Sequence, residues 1–200
     1  MTTRPRQIRL LFPMHGFQRH GHRGVTLIEL LCTLSIIAIV SAIAMPDLSQ
    51  LHRQTARRVV VNDFLHSLYL ARHRAITLNQ VVSICRSRDG AACENRSGNW
   101  QDGWIVFHNI DRDQPAERDA NETVIYQHSG WVGGDISSNR VSFSFRPAEQ
   151  ADVNGTIVFC DRRGDPNDAR AIIISHVGRA RVATRDASNR ALQCSPNNGT

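Results

Sequence analysis

The stretch "GVTLIELLCTLSIIAIVSAIA", residues 24–44, decides the fold of this chain. From Val25 to Ala44 it runs for twenty residues with a single charge, on Glu29. A helix of about this length crosses a bilayer. The sequence therefore predicts a transmembrane helix over residues 25–45. Glu29 then needs a partner, because a charge inside such a span costs roughly 2.5–3.5 kcal/mol.

The basic residues are concentrated at the two ends of the chain. All 24 are arginine, and the formal net charge is +6. Five arginines and no acid precede Gly24, which leaves 19 arginines against 18 acids in the rest of the chain. By the positive-inside rule the basic leader stays cytoplasmic. The apolar helix is then a single-pass anchor, with the remainder of the chain outside the cytoplasm.

Two kinds of processing fit an apolar segment at this position. A secretory signal peptide would end at the small-residue site "AIA", residues 42–44, and would release the remainder. The length of the apolar run and the carboxylate within it argue against this reading. The alternative is a helix that stays attached as an anchor.

The residues "RGVTLIELL", 23–31, resemble the prepilin cleavage motif of type IV pilins and type II secretion pseudopilins. The resemblance implies a leader peptide over residues 1–24 and a prepilin peptidase/N-methyltransferase that cuts after Gly24 and methylates Val25. It also implies that residues 25–45 form a transmembrane helix in the inner membrane that becomes the filament-core helix after assembly. Glu29 would then meet the new amine of a neighbouring subunit. The alternative is a carboxylate that extends to the membrane interface.

Helical periodicity continues beyond the apolar run, with Val61, Phe64, Leu65 and Leu68 on one stripe. One helix is predicted from about residue 25 to 78, roughly 80 Å long. Its amphipathic half, residues 46–78, lies on a β-rich head of residues 79–200. Branched and aromatic runs predict strands at 81–86, 104–109, 123–127, 140–145, 156–160 and 171–177.

Three stretches of the head, "NWQDGWIVF" (99–107), "GTIVFC" (155–160) and "ARAIIISHVGRARV" (169–182), resemble the GspH/FimT family. The resemblance implies a pilin-like α+β fold, in which a long N-terminal helix packs on antiparallel sheets, and assembly with other pilin or pseudopilin subunits. Trp100 and Trp104 fit either a ligand-stacking pair or a cap on the core, and the cap is favoured.

Four cysteines fall in the exported head, where oxidation is expected. The short loop "CRSRDGAAC" favours a bridge between Cys85 and Cys93, which leaves Cys160 and Cys194 for a second bridge. Two other pairings remain open. Zinc is disfavoured because no C-x-x-C spacing is present, and we expect no cofactor. Known catalytic motifs are missing, which argues against a secreted enzyme.

The segment "VGRARVATR", 177–185, holds the candidate binding residues. If it is extended, Arg179, Arg181 and Arg185 share one face, with Ala183 between the last two. Arg179 and Arg181 are then about 7 Å apart, close to the phosphate spacing of a nucleic acid, and Arg185 lies about 13 Å farther along. Gly178 allows a tight turn before them. The Gly-Arg-x-Arg pattern resembles FimT-type minor pilins that bind double-stranded DNA in natural transformation.

Two alternatives remain for this arginine-rich segment and for the chain as a whole. The alternative role of the arginines is a solvated edge strand that its charges protect from aggregation. In that case the chain would be a structural tip pseudopilin of type II secretion, or a pilus-priming minor pilin.

We expect cleavage after Gly24 and methylation of Val25. Intact-mass measurement of protein purified from membranes should give a chain that begins at methylated Val25. A chain that begins at Met45 would identify a signal peptidase instead and would contradict the anchor.

Overall fold

The computed structural model describes residues 24–147 and 154–194, and the side chains of residues 43–49 lie outside that description. The chain divides into two units, Met1–Met45 and Pro46–Thr200. Every strand belongs to the second unit, which we call the head.

Helix α1 runs from Leu27 to Leu78, which confirms the predicted long helix. Thr26 caps its first turn: the Glu29 N–H donates to Thr26 Oγ1 at 3.3 Å, and the Leu30 N–H donates to the Thr26 carbonyl oxygen at 3.1 Å. Thr-x-x-Glu is the sequence pattern of a capping box. Glu29 therefore has a local role at the positive end of the helix dipole, in addition to any role between subunits.

Within the residues described here, no helix combines the length and the apolar character that crossing a membrane requires. The predicted span, residues 25–45, includes residues 43–45, whose side chains lie outside the described set. The span stays a prediction.

In the part of the head that the structure describes, eight strands form two antiparallel sheets. Sheet one has the order β3-β2-β1-β5, and sheet two has the order β4-β6-β7-β8. The strands are β1 (Val82–Arg86), β2 (Trp104–His108), β3 (Val124–His128), β4 (Gly134–Ser138), β5 (Ser142–Phe145), β6 (Gly155–Asp161), β7 (Arg170–Ile174) and β8 (Ala180–Ala183). This is the expected α+β, pilin-like fold.

The second half of α1 packs on the inner faces of both sheets, as its apolar stripe predicts. Phe64 is fully buried, with its ring centroid 4.9 Å from that of Trp104 on β2 and 5.8 Å from that of Phe159 on β6. The main core contains residues of α1 and of both sheets.

Trp100 and Trp104 belong to this core rather than to a ligand site. Both are buried, and the Trp104 Nε1–H donates to Ser67 Oγ on α1 at 2.9 Å. The Trp100 Nε1–H donates to the Arg140 carbonyl oxygen at 3.0 Å. The favoured interpretation of the pair, as a cap on the core, agrees with this placement.

Strand β4 was not predicted, because its sequence "GDISS" has little strand character. It forms because β6 supplies a complete antiparallel partner, with Ile136 opposite Phe159. Gly134 begins β4 where a Cβ atom would collide with the Cys160 carbonyl oxygen, so this position requires glycine.

We expect Phe64→Ala to destabilise the head by about 3–5 kcal/mol, because the cavity would remove contacts to both sheets at once. Equilibrium denaturation in detergent, followed by tryptophan fluorescence, measures the change. Val59→Ala serves as the control, because Val59 is 54% exposed on the same helix and should change stability by less than about 0.5 kcal/mol. Similar losses for both variants would contradict this description of the core.

Candidate nucleic-acid interface

A tight hairpin between β7 and β8 presents the predicted binding residues. The Gly178 N–H donates to the Ser175 carbonyl oxygen at 2.8 Å, and the Ser175 N–H donates to the Arg179 carbonyl oxygen at 3.0 Å. Gly178 has a φ of 69°, in the left-handed region that glycine adopts at low cost. The predicted role of Gly178 in the turn agrees with this geometry.

Arg179 and Arg181 project from this hairpin into solvent. Arg181 lies on β8 between Ala180, which is 8% exposed and faces the core, and Val182. Arg179 lies directly after the turn, and its N–H donates to Ser175 Oγ at 3.2 Å. Within the described residues neither guanidinium has a hydrogen-bond or ion-pair partner, so both are available to an external anion.

Helix α1 holds the hairpin in place from the other side. The Tyr69 hydroxyl donates to the Ala180 carbonyl oxygen at 3.0 Å, and Arg72 Nη1 donates to the Gly178 carbonyl oxygen at 3.2 Å. These contacts fix the backbone on both sides of Arg179. Sequence reasoning missed both residues, because the contacts join parts of the chain that are 111 and 106 residues apart.

Arg185 lies outside the strand that carries Arg181. Strand β8 ends at Ala183, and Arg185 forms an isolated antiparallel bridge with Ala191. Its Nη1 donates to the Asn189 carbonyl oxygen at 3.1 Å. The expected continuous face of three arginines is therefore interrupted. Of the three guanidinium groups, that of Arg185 is the one with a hydrogen-bond partner among the described residues.

An open cavity of about 300 Å³ lies between β8 and the chain that follows it. Arg181 and Arg185 both line it, together with the polar side chains of Thr184 and Asn189. Asp186 also lines the cavity, and Arg190 Nε donates to its Oδ2 at 2.8 Å. Hydrogen bonds from the backbone and side chain of Arg190 lower the pKa of Asp186, so this pair is internally neutralised.

The two expected disulfides are present in the structure. Cys85 is joined to Cys93, and Cys160 is joined to Cys194. The second bridge ties the C-terminal segment to β6, where Leu192 is buried against Ala169 and Ala171 on the outer face of sheet two. It thereby limits how far Arg185 can move from β8.

The processing residues lie at the start of the described chain. Val25 is 72% exposed and Gly24 is exposed, so the backbone at the predicted cleavage site is accessible. Glu29 is also exposed, and its carboxylate is open to a partner from another subunit. In the described part of the chain, no group of three or more histidine, cysteine or acidic side chains is arranged to hold a metal ion.

Comparison with known proteins gives two family matches. The model of type II transport protein GspH matches residues 60–178, and that of the prokaryotic N-terminal methylation motif matches residues 19–45. No curated protein matches the chain.

Two crystal structures of the type IV minor pilin FimU from Pseudomonas aeruginosa PAO1 are similar in fold. One is 15% identical, covers 74% of this chain and 98% of its own, and has a TM-score of 0.50. The other is 16% identical, covers 71% and 99%, and has a TM-score of 0.49. At this identity the likeness concerns the fold alone.

We expect removal of the Cys160–Cys194 bridge to cost more stability than removal of Cys85–Cys93. The two bridges are separated by 34 and 8 residues, which corresponds to about 4 and about 2.5 kcal/mol of lost loop-closure constraint. Paired Cys→Ser variants, compared by equilibrium denaturation, measure both values. The opposite order, or a Cys85–Cys160 link in non-reducing peptide mapping, would contradict the assignment.

Proposed function

The chain belongs to the family of type II transport protein GspH, and we propose that it is a minor pilin of a type IV pilus that binds double-stranded DNA for uptake in natural transformation. The family and the methylation motif establish the coarser statement: the chain is a minor pilin or pseudopilin of a type IV pilus or a type II secretion system. It is a structural, non-enzymatic protein that a prepilin peptidase processes and that assembles with other pilins.

The anchoring part of the proposal rests on the first unit of the chain. The prepilin motif implies anchoring in the inner membrane, followed by assembly into a pilus. The side chains of Leu27, Ile28, Ile36 and Ile39 are each more than 60% exposed. An apolar surface of this kind needs lipid or neighbouring subunits to cover it. We assign residues 25–45 to this role.

The free guanidinium groups of Arg179 and Arg181 carry the DNA-binding part of the proposal. Uptake without sequence preference needs contacts to phosphates rather than to base edges. An arginine fork binds phosphate through two parallel hydrogen bonds. The hairpin turn, Tyr69 and Arg72 hold the backbone around Arg179 before any ligand arrives, which lowers the entropy cost of binding.

The alternative is a structural tip pseudopilin or a pilus-priming subunit without DNA binding. One observation favours it: the GspH match ends at residue 178, so the binding arginines lie beyond the part that the family shares. Charges on the edge strand β8 would then serve only to prevent pairing with other chains.

We expect R179Q/R181Q to lower affinity for duplex DNA by about tenfold or more, because charge-assisted hydrogen bonds contribute about 1.5–3 kcal/mol each. The measurement is fluorescence anisotropy in non-ionic detergent, with a chain that begins at Val25 so that the leader arginines do not contribute. With three phosphate contacts, the wild-type log–log salt slope should be roughly −2 to −3.

R96Q/R112Q is the matched control, because it removes the same charge from two exposed arginines in loops that flank strands of sheet one. It should change affinity by less than twofold. Equal losses in the two double variants would indicate diffuse attraction only. If the wild-type chain does not bind at low salt, the DNA-binding proposal is wrong and the structural alternative replaces it.

A further inference from the structure

The end of sheet two opposite the β7–β8 hairpin carries a second basic surface. The β7–β8 hairpin begins after Ile174, the last residue of β7. The loop of residues 162–169 lies at the other end of this strand, before Arg170. This loop and the end of β6 meet α1 at Arg57: its Nη1 lies 3.6 Å from Asp161 Oδ2, and its Nη2 lies 3.8 Å from Asp168 Oδ1. Arg57 follows Met45, the end of the predicted anchor, by twelve residues.

Positive charge exceeds negative charge at this end. Arg57 and Asp161 are both buried and compensate one another. Burial, together with the nearby charges of Arg170 and Arg58, lowers the pKa of the Arg57 guanidinium. Outside this buried pair, Arg58, Arg162 and Arg163 are exposed to solvent. The acids of the same loop are Asp165, which is exposed, and Asp168, which is half-buried and pairs with Arg57.

An exposed apolar loop adjoins these arginines. Val132 is 87% exposed, and its carbonyl oxygen accepts hydrogen bonds from Arg162 Nε at 3.0 Å and from Arg162 Nη2 at 2.7 Å. The neighbouring Trp131 is half-buried: its indole packs against the main core, and its backbone N–H donates to the Gln101 carbonyl oxygen at 2.8 Å. We call Arg58, Val132, Arg162 and Arg163 the basal patch.

The composition of the basal patch distinguishes between partners. A nucleic-acid backbone would use the guanidinium groups and gain nothing from an exposed valine. A bilayer surface uses both, because arginine binds lipid phosphate while an exposed apolar side chain enters the interfacial layer. Attraction to anionic headgroups acts within about one Debye length, so the patch must lie near the membrane.

We propose that the basal patch docks the head on the surface of an anionic bilayer, with arginine forks on lipid phosphates and Val132 in the headgroup layer. The proposal rests on the inner-membrane anchoring put forward above, which holds the chain at the membrane before the subunit enters a filament. Docking would orient the head relative to the membrane, and the opposite end of sheet two would carry the β7–β8 hairpin.

The three tryptophans provide the measurement, because all of them lie in the head between residues 100 and 131. The full chain is reconstituted in vesicles that contain a dansyl-labelled lipid, and energy transfer from tryptophan to dansyl reports the proximity of the head to the bilayer. Transfer should be higher in phosphatidylglycerol–phosphatidylcholine vesicles than in phosphatidylcholine alone. High salt should lower it to the phosphatidylcholine level.

R162Q/R163Q should lower transfer in anionic vesicles to the phosphatidylcholine level. Because Arg162 also holds the Val132 carbonyl, R58Q/R163Q is a second variant that leaves this contact intact, and it should lower transfer as well. R179Q/R181Q removes the same charge at the other end of sheet two and should leave transfer unchanged. Near-ultraviolet circular dichroism checks that each variant is folded.

Equal transfer in both kinds of vesicle, or no effect of either basal variant, would overturn the docking proposal. Loss of transfer with inorganic phosphate, but not with sodium chloride of equal ionic strength, would assign the patch to soluble phosphate. Weaker DNA binding with unchanged transfer in R162Q/R163Q would assign it to nucleic acid. A chain that alkaline carbonate extracts from the vesicles would contradict the anchoring itself, whereas a retained chain with equal transfer would contradict docking alone.

Discussion

The packing of Phe64 is the contact on which the head depends. Its ring lies against Trp104 of sheet one and Phe159 of sheet two, with centroid distances of 4.9 and 5.8 Å. Edge-on and tilted aromatic contacts of this kind stabilise a core beyond the area that they bury. Because the apolar stripe of α1 belongs to the same core as residues of both sheets, loss of the helix would leave each sheet with an uncovered inner face. The helix is therefore the central element of the head.

Polar contacts hold sheet two against α1 at two positions along the helix. Arg57 meets Asp161 at the end of β6, and Tyr69 meets the Ala180 carbonyl at the start of β8. The buried ion pair adds little net stability, because both charges lose their hydration. The pair nevertheless sets the position of β6 along α1, because Arg57 and Asp161 must lie next to each other. These contacts therefore determine where the exposed arginines at each end of sheet two lie.

Local sequence patterns predicted the long helix and most of the strands. The remaining features depend on contacts between residues that are far apart in the sequence. The apolar period of α1 and the branched runs of β1, β2 and β6 are strong enough to identify the helix and these strands. Strand β4 is polar and exists through its pairing with β6, which no local window contains. The predicted strand at 171–177 ends at Ile174, because the Ser175–Gly178 turn starts there. At the candidate site, alternation placed Arg181 correctly, whereas the bridge between Arg185 and Ala191 depends on the folded tail.

Protection of an edge strand and recognition of phosphate are compatible roles for the arginines of the hairpin, so exposure by itself does not separate them. The difference lies in pairing. An arginine that is already paired with an acid has less to offer a phosphate, as is the case for Arg190 beside Asp186 a few residues later. Arg179 and Arg181 have no such partner among the described residues, although the mature chain contains nearly as many acids as arginines. Exposed arginines are well hydrated and common on protein surfaces, so the physical reason to prefer recognition is that Tyr69 and Arg72 hold the backbone on both sides of Arg179 in advance.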